Sequence, residues 1–190
     1  MSSSAKVPIL WIWIDRARSN AERGQKCQLI MTNKIDFSAL VPMDELSGED
    51  EKDTRLLRRM GEEAKQYLLS FQWCKAIENG WFGYGVGEIV AVFLFEIVPA
   101  TVDIDKFLWV VIGDLPPAYL VVDESPTALD ALRTYVELME EWIAAVRAGK
   151  STEDCIPVNT PATLENAEAL ERRLAFLKRE FLMNHGSNLN

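Results

Sequence analysis

Three carboxylates, Glu88, Glu96 and Asp114, stand where a strand-rich segment could gather them for acid–base work. Asp114 follows an apolar run and precedes Pro116 and Pro117, a place where burial in a cleft tunes a carboxyl. Paired with Glu88 or Glu96 it would supply the acid and base of a small hydrolase of the glycosidase kind. The competing reading needs no catalysis, because an Asp at a turn commonly accepts hydrogen bonds from the backbone two residues ahead. Nothing in the spacing of the three acids selects between them. Other reactive groups are scarce. The single histidine, His185, leaves little material for a His-based triad, a zinc site or a haem pocket. Cys27, Cys74 and Cys155 form no Cys-x-x-Cys pair, and Cys74 falls on the apolar stripe of a predicted helix and reads as core. No metal and no cofactor is expected.

Two further stretches bear on binding. From Gly80 to Gly87, glycines alternate with Trp81, Phe82 and Tyr84. The stretch lacks G-x-x-x-x-G-K-[ST] and precedes a strand rather than a helix, so it is no phosphate cradle. It reads as a turn or bulged strand whose glycines permit positive φ, with the aromatics packed on the sheet or left partly exposed as binding anchors. Residues 44–53 hold six acids, Asp44, Glu45, Glu49, Asp50, Glu51 and Asp53, against one base, Lys52. They lack the D-x-[DN]-x-[DN]-G calcium loop. Ser47 with Asp50 three residues on predicts a capping-box helix start, where acids meet the positive end of the dipole. Six tryptophans, at 11, 13, 73, 81, 109 and 142, default to core use.

The elements that must position these groups follow from periodicity. Leu57, Met60, Ala64, Tyr67, Phe71 and Cys74 recur at spacings of three and four, which predicts a helix over about 50–78 stopped by Asn79-Gly80. Strands are expected near 87–98, 107–112 and 118–122, with 7–14 as a fourth candidate, and their short connections favour antiparallel pairing. Ser125-Pro126 opens a helix over 126–148 with a Leu129, Leu132, Val136, Met139, Ile143, Val146 seam, closed by Gly149. Thr160-Pro161 opens another over 161–183, with a seam of Ala167, Leu170, Leu174, Leu177 and Phe181. Strands between helices, rather than alternating with them, give an α+β class: a small antiparallel sheet packed with three main helices. The two helical seams could also pack across a homodimer.

The chain carries 20 Lys+Arg against 29 Asp+Glu, a net charge of -9, the wrong sign for phosphate backbones or anionic membranes. No nucleic acid and no membrane partner is expected. Residues 1–30 hold five bases and two acids, so they read as a basic N-terminal arm, or as a leader if Met31 is the true start, ahead of one domain over 31–190. The apolar run 7–14 is short for a signal core and has no clear cleavage site. The stretch 89–99 holds Glu96 and is far shorter than the roughly 20 residues needed to span a bilayer. An odd, widely spaced set of cysteines predicts a reducing cytoplasm.

The run Leu108-Trp109-Val110-Val111-Ile112-Gly113-Asp114-Leu115-Pro116-Pro117-Ala118-Tyr119, with the following helix and its Trp142, resembles small bacterial domains of unknown function. Those domains carry a Trp-Val-Ile-x-Gly-Asp-Leu-Pro strand and turn with a Tyr before the next helix. The resemblance covers residues 108–146 and departs at Pro117-Ala118, where a polar pair is usual. It implies a bacterial cytoplasmic protein and assigns no activity, so Asp114 gains no role from it. The function expected is non-enzymatic: an acidic protein-binding domain, of the immunity-protein or effector-chaperone kind, that docks a basic protein through the 44–53 acids and Trp81, Phe82 and Tyr84.

Overall fold

In a computed structural model, which describes residues 35–123 and 125–179, the unbroken apolar run after Gly87 becomes the central strand. The described residues belong to one unit, Lys34–Asn190. Five antiparallel strands lie in sequence order: β1 Val41–Pro42, β2 Cys74–Val86, β3 Val90–Pro99, β4 Phe107–Gly113 and β5 Ala118–Val121. Every residue from Val90 to Phe95 is buried, because β3 is covered on both faces and so has no use for a polar alternation.

Helix α1, Glu51–Leu69, covers one face, where Met60, Ala64 and Leu68 meet Ala91, Phe93, Phe95 and Ile97 of β3 and Leu108, Val110 and Ile112 of β4. The other face carries Trp109, whose indole N–H donates to the Ser125 carbonyl at 2.7 Å, beneath helix α2, Ala128–Arg147. Helix α3, Leu164–Leu177, lies on α2. Its seam of Ala167, Leu170, Leu174 and Leu177 is buried. Arg147 forks onto both oxygens of Glu171 at 2.6 and 2.7 Å, and Lys178 reaches Glu140 at 2.8 Å. The α2 seam is likewise buried within the chain from Leu132 to Val146. Gly149, at φ 63°, ends α2: its N–H reaches the Val146 carbonyl at 3.1 Å and that of Lys150 the Ala145 carbonyl at 2.9 Å, a Schellman closure.

The architecture is the α+β one expected, a five-stranded antiparallel sheet with three helices, and several boundaries differ. The helix expected over 50–78 ends at Leu69, and residues 74–86 are a strand. Phe71 and Cys74 keep the apolar spacing because an aromatic corner folds them under the same face: Phe71 lies 5.2 Å from Tyr67, 5.1 Å from Trp73 and 5.3 Å from Tyr119, and Cys74 is buried among the α1 contacts. The strand signal of 74–86 is broken by register shifts at 74/76, 77/79 and 82/84, each of which resets the two-residue alternation.

Glycines within β2 serve close approach, not positive φ. A Cβ on Gly80 would stand 2.6 Å from the Met43 sulfur, and one on Gly83 2.7 Å from the Ala128 Cβ. Of the Gly80–Gly87 stretch only Gly87, in the β2–β3 turn, has positive φ, at 49°.

The helix caps also shift. Asp50, Thr127 and Thr163 accept from the backbone N–H groups of Asp53, Asp130 and Asn166, in place of Ser47, Ser125 and Thr160. Ser125 is buried instead and bonds Thr134 at 2.9 Å. The expected strand 7–14, Cys27, His185 and the end of the 161–183 helix lie outside the described residues. No helix among the described residues is long and apolar enough to cross a membrane.

Candidate functional site

The Asp114 turn is built by geometry that only glycine meets. Gly113 sits at φ 146°, and a Cβ there would lie 2.3 Å from the Ile89 carbonyl oxygen. The Asp114 N–H then donates to that same oxygen at 3.1 Å, tying the end of β4 to the β2–β3 turn. Leu115 is buried, and the Pro116 carbonyl accepts the Tyr135 hydroxyl of α2 at 2.8 Å. The Gly-Asp-Leu-Pro run therefore locks sheet to helix through its backbone. Its carboxylate is 70% exposed and faces Arg173 of α3 at 3.4 Å.

The two glutamates do not join it. Glu88 shares the β2–β3 end of the sheet, but its carboxylate pairs with Arg59 of α1 at 3.1 Å, on the face opposite Asp114's partner. Glu96 is further off: Val90 pairs with Gly113 and Glu96 with Phe107, so six residues of strand, about 20 Å, separate it from the turn. Glu96 accepts from Lys106 at 2.8 Å and from Asn79 at 2.5 Å, and Lys106 also reaches Glu78 at 3.0 Å. The bond from Lys106 holds the Glu96 carboxyl below its usual range, the opposite of what a general acid needs. No acid and base pair forms around Asp114.

The acidic loop follows β1, which pairs with the aromatic strand β2. Val41 pairs with Phe82 and Pro42 with Trp81, and the Met43 N–H donates to the Gly80 carbonyl at 3.0 Å, which starts the 44–53 loop beside Trp81. Leu46, 1% exposed, plugs that loop into the core, and Arg58 donates to its carbonyl at 3.3 Å. The six acids then divide. Asp50, Glu51 and Asp53 serve the start of α1, with Glu51 paired to Arg55. Asp44, Glu45 and Glu49 are exposed, and none has an ion-pair partner among the described residues.

The aromatics divide too. Phe82 packs edge-on against Phe93 at 5.6 Å, in the α1 core, and Tyr84 is half-buried opposite Val92. Burial pushes the Tyr84 hydroxyl pKa up. Trp81 instead joins a half-exposed group with Phe37 at 5.0 Å and Phe107 at 6.5 Å, the last two being 5.9 Å apart. Phe37 lies in a short 3-10 turn, Phe37–Ala39, capped by Asp36. The site thus spans the 3-10 turn, β1, the acidic loop and Trp81. Phe37 and Phe107 carry no sequence signal of their own; only the pairing of β1 with β2 gathers them.

Both described cysteines are free. Burial raises the thiol pKa of each, and for Cys155 the nearby Glu141 and Asp154 add to it. Among the described residues no cluster of three His, Cys, Asp or Glu could hold a metal ion. Comparison of the chain with protein-family models, with curated proteins and with solved structures finds no match.

Proposed function

We propose that this chain is a non-enzymatic binding domain that docks a basic protein through the acidic loop and the Trp81, Phe37, Phe107 group. One observation carries the reading: Asp44, Glu45 and Glu49 are exposed with no ion-pair partner among the described residues, and β1, which leads into their loop, pairs with the strand that bears the half-exposed Trp81. Aromatic side chains at the centre of an interface supply most of the binding energy, and unpaired charges around them steer an oppositely charged partner. A net charge of -9 extends that steering over the whole surface. Domains that neutralise a basic toxin or hold a basic effector, as immunity proteins and effector chaperones do, need these properties and no catalytic residue.

The test is capture from the protein's own cell lysate with the native chain and a D44N/E45Q/E49Q variant in parallel. A stoichiometric basic protein held by the native chain at low salt, shed at high salt and not held by the variant supports the reading. Equal retention by both proteins, or an empty native bait, contradicts it.

A further inference from the structure

Stepping along α3 by four, Leu164, Glu168, Arg172 and Phe176 fall on one ridge, on the side turned away from the buried seam of Ala167, Leu170, Leu174 and Leu177. All four are exposed, and Leu164 at 59% and Phe176 at 40% are the large apolar side chains that this helix leaves to solvent. Glu171 and Arg173 are paired with Arg147 and Asp114, whereas Glu168 and Arg172 form no ion pair among the described residues. The ridge therefore reads apolar, acid, base, apolar. Turned end for end about the level of Leu170, it reads apolar, base, acid, apolar, so the ridge is complementary to itself. We infer that two copies of this chain meet along this face of α3, in an antiparallel helix pair. Each Glu168 then stands against Arg172 of the second copy, and each Leu164 against its Phe176. Arg179, one turn beyond Arg172, lies over the Phe176 ring at 5.8 Å and extends the basic half, as Glu165 extends the acidic half. The antiparallel arrangement also sets the two helix dipoles in opposition. A single helix pair falls short of the roughly 1,200 Å² of a standard interface, so the association is weak and set by concentration. It uses neither the acidic loop nor Trp81, and stands apart from the docking reading.

The test is sedimentation equilibrium of the full chain at low salt, over concentrations from about 10 µM to about 1 mM, the range in which a small interface associates. The native chain is expected to pass from monomer toward dimer across that range. R172E, which sets Glu168 against a second acid at both ends of the pair, is expected to weaken the dimer at least about tenfold, and E168R to do the same with two bases. Both residues are exposed, so neither change threatens the fold. The decisive variant is E168R/R172E, which swaps the two charges and restores the complementarity; it is expected to dimerise as the native chain does. A chain that stays monomeric throughout overturns the inference. So does a dimer that R172E leaves equally strong, which would place the contact elsewhere, or a double variant no better than the single ones, which would exclude the antiparallel register.

Discussion

Gly113 is the position where one atom decides the turn. A Cβ at φ 146° would strike the Ile89 carbonyl oxygen at 2.3 Å, so G113A is expected to lose about 1–3 kcal/mol in urea denaturation. At Gly87, with φ 49° and nothing within 4 Å of a built Cβ, G87N is expected to stay within about 1 kcal/mol of the native chain. Similar losses at both positions would show that the Asp114 turn is not the constrained one. Glu96 offers a test by pH. Its carboxyl is depressed in the folded chain by the bond from Lys106, so its contribution is present above the unfolded value near 4.3 and is lost as pH falls through the folded one. The fall in stability between about pH 5 and pH 3 should therefore be shallower in E96Q. An unchanged slope, read from urea midpoints across that range, would remove Glu96 from the acid response.

At the scale of elements, the helix starts are the sharpest check. D50A removes the acceptor of the Asp53 N–H and is expected to cost about 1 kcal/mol, while S47A, which removes no hydrogen bond of the helix, should be near neutral. The reverse order would restore the capping box that the sequence suggests. What could be read from sequence follows the same division. Helices α2 and α3 announce themselves by one helical period that their buried positions follow, and strands β3 and β4 by unbroken apolar, β-branched and aromatic runs that are buried almost throughout. Strand β2 does not, because its three register shifts break the alternation and the helical stripe of α1 runs on through Phe71 and Cys74 by way of the aromatic corner. The site fared in between. The acids and Trp81 are visible as types, but the element that joins them, Val41–Pro42, is two residues long and pairs with a strand some forty positions away. Asp114 likewise looks reactive by type, and only the fold shows its carboxylate turned to Arg173 and away from Glu88.

For the whole molecule, the docking reading stands on the exposed acids that follow β1 and on the half-exposed Trp81 group. The most direct measurement is the affinity of the captured basic protein for the native chain and for D44N/E45Q/E49Q, each across a series of salt concentrations. Screening weakens attraction between exposed charges as the Debye length falls from about 10 Å at 0.1 M salt to about 3 Å at 1 M. The native chain should bind more weakly as salt rises, and the variant should start at least about tenfold weaker at low salt and depend less on it, given three lost charges at the interface. Equal affinities and equal salt slopes for the two proteins would contradict the claim that the acidic loop beside Trp81 is the docking surface.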